Sequence, residues 1–245
     1  KALFRRKTKT RCTSTQERTT SFLLFILGVL TRPLCLVCLQ SPRCRQNAVI
    51  MNDIEIHPFE PFLPKEARLL MLGTFPPAPK RWCMPWYYPN FTNDMWRIIG
   101  LIFFNDREHF VDREHKTYRQ ETLQKFLGEK GIALYDTCTR IRRTKGTASD
   151  KDLEVVEPTD LDRLLSTLPH LRAVVCAGQL ATSLFTGHYG IDARGMKMGE
   201  YRSFTFDDRE LRLYRMPSSS RAFPMKTEDK AAYYQHMFED IGLLP

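Results

Sequence analysis

Several signatures are missing from this chain of 245 residues, and each absence removes a class of function. Gly73 and Gly178 each close an apolar run, but neither belongs to a G-x-G-x-x-G or to a phosphate-cradling loop ending in Gly-Lys. Nucleotide cofactors therefore have no support. No G-x-S-x-G occurs, and the six histidines (57, 109, 115, 170, 188, 236) form no H-E-x-x-H or other ligand spacing. Triad hydrolases and metal centres lose their ordinary markers, and no metal or cofactor is expected. No internal repeat appears.

Cysteine is scarce where a fold would use it. Four of the seven lie in the first fifty residues (Cys12, Cys35, Cys38, Cys44), which leaves Cys83, Cys138 and Cys176 far apart and odd in number. A reducing compartment without a disulfide framework follows. Three scattered thiols also cannot supply the four ligands of an iron–sulfur cluster.

Net charge is less informative than its value of +9 suggests. Residues 1–50 hold ten Lys/Arg and one acid, so the remaining 195 carry 27 of each sign. Bulk charge gives the body no attraction to a polyanion. The first fifty residues run basic and Ser/Thr-rich, then apolar through SFLLFILGVL and LCLVCL. Arg32 and Pro33 break that stretch short of the roughly 20 residues of a membrane span. No A-x-A-like cleavage site follows. We expect residues 1–50 to be a leader outside the fold, with Met51 as the start and upstream translation as its origin. A signal-like anchor is the alternative. Residues 51–245 then form a single domain, cytoplasmic and nucleoid-associated, with no membrane partner.

Within the body, IEIHPFEPFLPKE reads as a Pro-rich lead-in wrapping the outside. Ala67 to Leu72 is a strand, continuously apolar after Arg68, as expected where both faces are covered. A Pro-punctuated aromatic loop leads to a helix opening at Thr92 and Asn93, with Met95, Ile98, Ile99 and Ile102 at helical spacing. A second helix ends near Gly128, and Ile132 to Tyr135 is the second strand, with Asp136 at its end. The segment TCTRIRRTKGTASDKD reads as a loop. Thr159 is the expected cap of a helix carrying Leu161, Leu164, Leu165 and Leu168. Ala173 to Ala177 is a third strand and Gln179 to Phe185 a helix. RSFTF and LRLYR flank DDRE as a hairpin whose second arm, ending at Met216, is the fourth strand. The last helix has Thr227 as its cap and Ala231, Tyr234, Met237, Phe238 and Ile241 inward.

Short buried strands alternating with helices predict an α/β fold, a three-layer α/β/α sandwich on a central, mostly parallel four-stranded sheet. Ligands in such sheets sit beyond the carboxyl ends of the strands. Asn93, Asp136 and Ser218 are therefore expected along one edge.

LGTFPP, YYPNFTNDMW, GIALYDT, AVVCAG and MPSSSRA, in that order, resemble the uracil-DNA glycosylase superfamily. The hypoxanthine-DNA glycosylase-like branch is the most similar, over roughly Arg68 to Leu243. The resemblance implies a monomeric, metal-independent, monofunctional DNA glycosylase of base excision repair. Such an enzyme flips a deaminated base, of uracil or hypoxanthine type, out of DNA and hydrolyses its N-glycosidic bond. Its partner is DNA containing a damaged base.

By that resemblance Asn93 and Asp136 are the catalytic candidates: Asn93 to orient a water or bond the base, Asp136 to accept a base N–H. Gly73, Thr74, Phe75, Pro76, Tyr88, Phe91 and Met216 would line the base pocket. Pro217, Ser218, Ser219, Ser220 and Arg221 would grip flanking phosphates, helped by Arg140, Arg142 and Arg143 with Lys145. Two positions depart from the superfamily. Phe75 stands where other branches carry Asn or Asp, and Met216 where they carry His or Asn. The His and Arg of the branch's Asn-bearing segment are also missing before Asn93. A catalytically silent DNA- or base-binding module and a nucleoside hydrolase remain as alternatives.

Overall fold

The computed structural model describes residues 54–145 and 149–244, so the expected leader and the Met51 start lie outside it. The described residues form β1 Ile54–Ile56, β2 Leu69–Gly73, α1 Met95–Phe104, β3 Val111–Asp112, β4 Thr117–Tyr118, α2 Gln120–Lys130, β5 Ile132–Asp136, β6 Cys138–Arg143, β7 Leu153–Pro158, α3 Leu161–Ser166, β8 Ala173–Ala177, α4 Gln179–Tyr189, β9 Tyr201–Phe206, β10 Arg209–Met216 and α5 Thr227–Asp240.

The fold is mixed α/β. Its main sheet has five strands, ordered β5-β2-β8-β10-β9, instead of the expected four. β2 pairs in parallel with β5 and with β8, and β8 in parallel with β10. β9 closes one edge antiparallel to β10. The fifth strand is the first arm of the 201–216 hairpin, whose two-residue tip, Asp207 and Asp208, takes positive φ at both positions. Such a turn matches the strand twist and keeps both arms in register.

Alternate side chains of each strand serve opposite faces, which is why the runs are apolar throughout. Leu69, Met71, Ile132, Leu134, Val175 and Tyr214 lie in one buried cluster with residues of α1, α2 and α5. Leu70, Leu72, Ala133, Val174, Cys176 and Leu213 lie in a second with residues of α3 and α4. Trp96 anchors the first, 1 % exposed. Its ring stacks on Trp86 at 5.5 Å and its indole N–H donates to the Tyr87 carbonyl at 3.2 Å.

Two helix starts differ from expectation. Asp160, not Thr159, caps α3 by accepting the Arg163 N–H, while the Thr159 hydroxyl donates to the Asp136 carbonyl at 2.7 Å. Thr227 is the first residue of α5 and not its cap, with Glu228 and Asp229 complementing the helix dipole behind it.

The larger correction concerns the two segments read as a lead-in and a loop, which pair into a second sheet ordered β1-β6-β7. Ile54 opposes Arg142 and Ile56 opposes Arg140 across β1 and β6. Arg140 and Arg142 reach Glu157 and Glu154 on β7, at 3.4 and 2.8 Å. Opposite charges across neighbouring strands favour pairing, so an arginine-rich stretch with little apolar periodicity becomes a strand through its partners. The lead-in continues inward: Phe62 bridges Leu134 at the edge of β5.

Among the described residues no helix is long and apolar enough to cross a membrane. Removing the central indole should be costly. Trp96→Ala is expected to lower the unfolding free energy by about 3–5 kcal/mol, measured by urea denaturation followed by circular dichroism.

Candidate active site

The carboxyl ends of β5, β2, β8 and β10 lie side by side. At about 4.8 Å per strand they span roughly 14 Å, enough for one nucleotide. Gly73 ends β2, and a Cβ there would stand 2.3 Å from Oδ1 of Asp136, so only glycine lets the carboxylate of β5 lie against it. The other carboxylate oxygen, Oδ2, is 2.8 Å from Nε2 of His57, whose side chain is buried. Nδ1 of His57 lies within reach of the Phe59 carbonyl, at 2.9 Å, and of the Phe59 N–H, at 3.2 Å, so both ring nitrogens have partners. Phe75 stands edge-on to the imidazole at 5.3 Å and Tyr135 tilts over it at 5.0 Å. A dry, aromatic-walled histidine–carboxylate pair results, with Tyr87 anchored beside it through its hydroxyl to the Glu60 carbonyl.

The second segment, after β10, meets the start of α1. The Asp94 N–H donates to the Ser219 carbonyl at 2.9 Å. Oδ2 of Asp94 accepts from Nζ of Lys230 at 2.9 Å, and that amine also donates to the Ser220 carbonyl at 2.8 Å. Both charged side chains are buried, at 1 % and 0 % exposure. Arg221, still 56 % exposed, reaches Oδ1 of Asp94 at 3.2 Å. The Tyr234 hydroxyl holds the Pro217 carbonyl. The serine loop and the Asn93–Asp94 helix start are thus on the same side of the protein, as expected.

Asn93 itself has a defined orientation. Its Oδ1 accepts the Met95 N–H at 2.9 Å, and its carbonyl takes the Tyr118 hydroxyl and an Arg97 N–H. Only the amide oxygen can accept from Met95, so the uncommitted end of the half-buried side chain is its NH2, a donor.

Tyr88 sits at φ +48°, a left-handed conformation that is costly for an aromatic residue. Its ring meets Trp96 edge-on at 5.4 Å. Burial, followed by the proximity of Tyr234, Asp136 and Cys176, pushes its phenol well above the usual range. Its neighbours come from β5, β8 and α5, which puts the ring in the middle of the sheet edge.

Several expected site residues have partners within the fold. Met216 is 2 % exposed and packs in the core cluster that includes α1 and α5. Phe91 packs under the Arg97 guanidinium, 5.0 Å from its ring, and its carbonyl is taken by Arg97 and Tyr118. Thr74 is buried and donates to Asp150, Pro76 gives its carbonyl to Arg143 at 2.6 Å, and Phe75 lies under the same guanidinium. The expected basic strip is a set of ion pairs: Arg140 with Glu157, Arg142 with Glu154, Arg143 with Glu55 at 2.7 Å, and Lys145 with Asp152.

His57, Asp150 and Lys230 were not anticipated. His57 lies in the segment read as an outer wrapping, Asp150 in the segment read as a loop, and Lys230 looks like an ordinary polar position of α5. No short-range pattern marks any of them, because each acquires its role from a partner 76 or more residues away.

Two open depressions lie elsewhere. One, of about 480 Å3, is lined by Glu66, Arg68, His170 and Arg172 beyond the amino ends of the strands; the other, of about 320 Å3, lies beside Tyr201, Tyr214 and His236. Neither includes a residue of the Gly73–Asp136 edge. Polar groups converging on an aromatic floor are found instead at the Gly73–Asp136 edge. Among the described residues no group of three or more His, Cys, Asp or Glu is placed to hold a metal ion.

The class defined so far is a mixed α/β protein with its polar groups gathered at the carboxyl edge of the main sheet. No family model and no curated protein matches the chain. Among solved structures it is similar to one described as a "putative Uracil DNA glycosylase from Methanosarcina acetivorans", a solution NMR structure. Identity is 24 %, coverage is 75 % of this chain and 98 % of that one, and the TM-score is 0.49.

Lys230→Ala would strand the Asp94 carboxylate without its buried partner, at a cost of about 3–5 kcal/mol. Asp94→Asn combined with Lys230→Met should recover much of that loss. Thermal unfolding of the wild type and of these two variants measures the loss and its recovery.

Proposed function

We propose that this protein is a DNA glycosylase of the uracil-DNA glycosylase superfamily, hydrolysing the N-glycosidic bond of a deaminated base, of uracil or hypoxanthine type, everted from DNA. One observation carries the reading. Two loops more than 140 residues apart in sequence, after β2 and after β10, reach the same sheet edge, and the second is tied to the helix start that holds Asn93. The five motifs that resemble the superfamily supply the residues at that edge.

In this reading the base enters between Phe75, Tyr135 and Tyr88, which offer π faces and exclude water. The Asn93 NH2 donates to a base carbonyl and gains strength as negative charge grows on the departing base. Asp136, fixed by His57, accepts a base N–H. Ser218 and Ser220 are half-buried and Arg221 is exposed, so the loop can take the flanking phosphates. The Arg140–Arg143 segment contributes less, since each of its cations has a carboxylate of its own, whereas Arg221 shares Asp94 with Lys230. No metal or cofactor takes part.

A silent base- or DNA-binding module is the second reading, favoured by the commitment of the Asn93 oxygen to the Met95 N–H at the start of α1. Base release separates the two. The purified chain should release uracil or hypoxanthine from an oligonucleotide in preference to xanthine or a free nucleoside. Asn93→Ala should lower the single-turnover rate at least about 100-fold, one oxyanion-type donor, while costing only about 1 kcal/mol of stability for the lost hydrogen bond to Met95. A variant that loses stability but keeps its rate would return Asn93 to a purely structural role. Arg221→Ala should reduce the dependence of DNA affinity on salt by about one phosphate contact, read from binding titrations at several ionic strengths.

A further inference from the structure

We propose that Asp150 is the group that activates the attacking water in the reaction proposed above, on which this inference rests. The need for such a group arises from what the other candidates have already committed. Phe75 fills the turn position where an acid or amide could act. The Asn93 oxygen is held by the Met95 N–H, so this amide presents donors and cannot accept a proton from water. Asp136 has one oxygen on His57, and the other, beside Gly73, is the one that takes the base N–H in the reading above.

Asp150 differs from each of these. It opens the 3-10 turn Asp150–Asp152, and its carboxylate meets Thr74, the residue after β2, and stands beside Gly178, the residue after β8. Its Oδ2 accepts the Thr74 hydroxyl at 3.2 Å. That oxygen would lie 3.4 Å from a Cβ on Gly178, the residue before α4, whose φ of +122° also favours glycine. Among the described residues Thr74 is the one hydrogen-bond partner of its carboxylate, whose two oxygens offer about four acceptor positions, and the residue is half-buried.

The charged and titratable groups facing it are Asp136 from β5, Arg143 and Cys138 from β6, with the Thr74 hydroxyl beside β2. Burial pushes its carboxyl above the usual range and Asp136 adds to this, while the Thr74 hydrogen bond and Arg143 pull the other way. A carboxylate raised in this way is a stronger proton acceptor than an exposed one.

The step balances without a co-reactant. The water oxygen bonds to C1′ of the sugar as one of its protons passes to Asp150. The C1′–N bond breaks, and its electron pair leaves on the base nitrogen. The proton then returns from Asp150 through solvent to the base.

Single-turnover base release by the full chain, measured from pH 4 to 9 on uracil and hypoxanthine oligonucleotides, tests the assignment. Asp150→Asn should retain oligonucleotide binding but lose on the order of 10²–10⁴-fold in rate. The acidic limb of the wild-type profile should vanish with it, and Asp150→Glu should restore part of both. Thr74→Val removes a hydrogen bond to the ionised carboxylate and should move that limb to higher pH, a shift that a merely structural Asp150 would not produce.

Stability should move the opposite way. With its folded-state value raised, Asp150 binds a proton more tightly in the folded protein than in the unfolded chain, and stability falls as pH rises between the two values. At neutral pH Asp150→Asn should therefore melt no lower than the wild type. An Asp150→Asn variant with an unchanged rate, or a reduced rate with its acidic limb intact, overturns the assignment and leaves the glycosylase reading standing. A wild type that binds DNA but releases no base from any substrate overturns both.

Discussion

The buried ion pair between Asp94 and Lys230 is the constraint around which the sheet edge is arranged. Two charges with almost no solvent access cannot exist separately in a protein interior, so wherever one goes the other must follow. Asp94 belongs to the mouth of α1 and Lys230 to α5, and the lysine also takes the Ser220 carbonyl. Loop, first helix and last helix are therefore locked together by the cost of leaving a charge unpaired. Such a pair adds little net stability compared with apolar residues of the same size; what it supplies is a unique arrangement. Arg221, sharing the same carboxylate but open to solvent, is held at the rim by that arrangement.

Departures from local rules collect at this one edge. Tyr88 accepts a left-handed backbone, Gly73 gives up a side chain so that Asp136 can lie on it, Asp150 has a raised carboxyl, and His57 is buried with its polar atoms paired inward. Sequences usually satisfy propensity, burial and polar pairing together, and places where they do not are commonly places where chemistry is performed. The body's balanced charge fits the same pattern, with Arg140, Arg142 and Arg143 paired to carboxylates across β1, β6 and β7.

Much of the framework could be read without coordinates. Leu69 to Leu72, Ile132 to Tyr135, Ala173 to Ala177 and the 201–216 hairpin carry their own strand signal, because burial on two faces demands unbroken apolar runs. Helix spacing likewise exposed α1 and α5. The second sheet was invisible for the converse reason. Its strands are held by charge pairs and by the edges of other elements, so Cys138–Arg143 and Leu153–Pro158 have no self-sufficient pattern. Met216 illustrates the limit for site residues: strand alternation gives each side chain a face, but only the neighbouring helices decide that its face is covered.

By itself the sequence determined which segments had to be buried, where they turned and in what order their loops carried glycine, proline, asparagine and serine. Those properties depend on neighbours a few residues away, through backbone sterics and apolar periodicity. Tertiary structure alone decided that His57 meets Asp136, that Asp150 meets Thr74, and that Lys230 fixes Asp94 beneath the serine loop. A titratable side chain leaves no periodic mark of its partner along the chain. Its role is set by distance and desolvation, which exist only once the strands lie side by side.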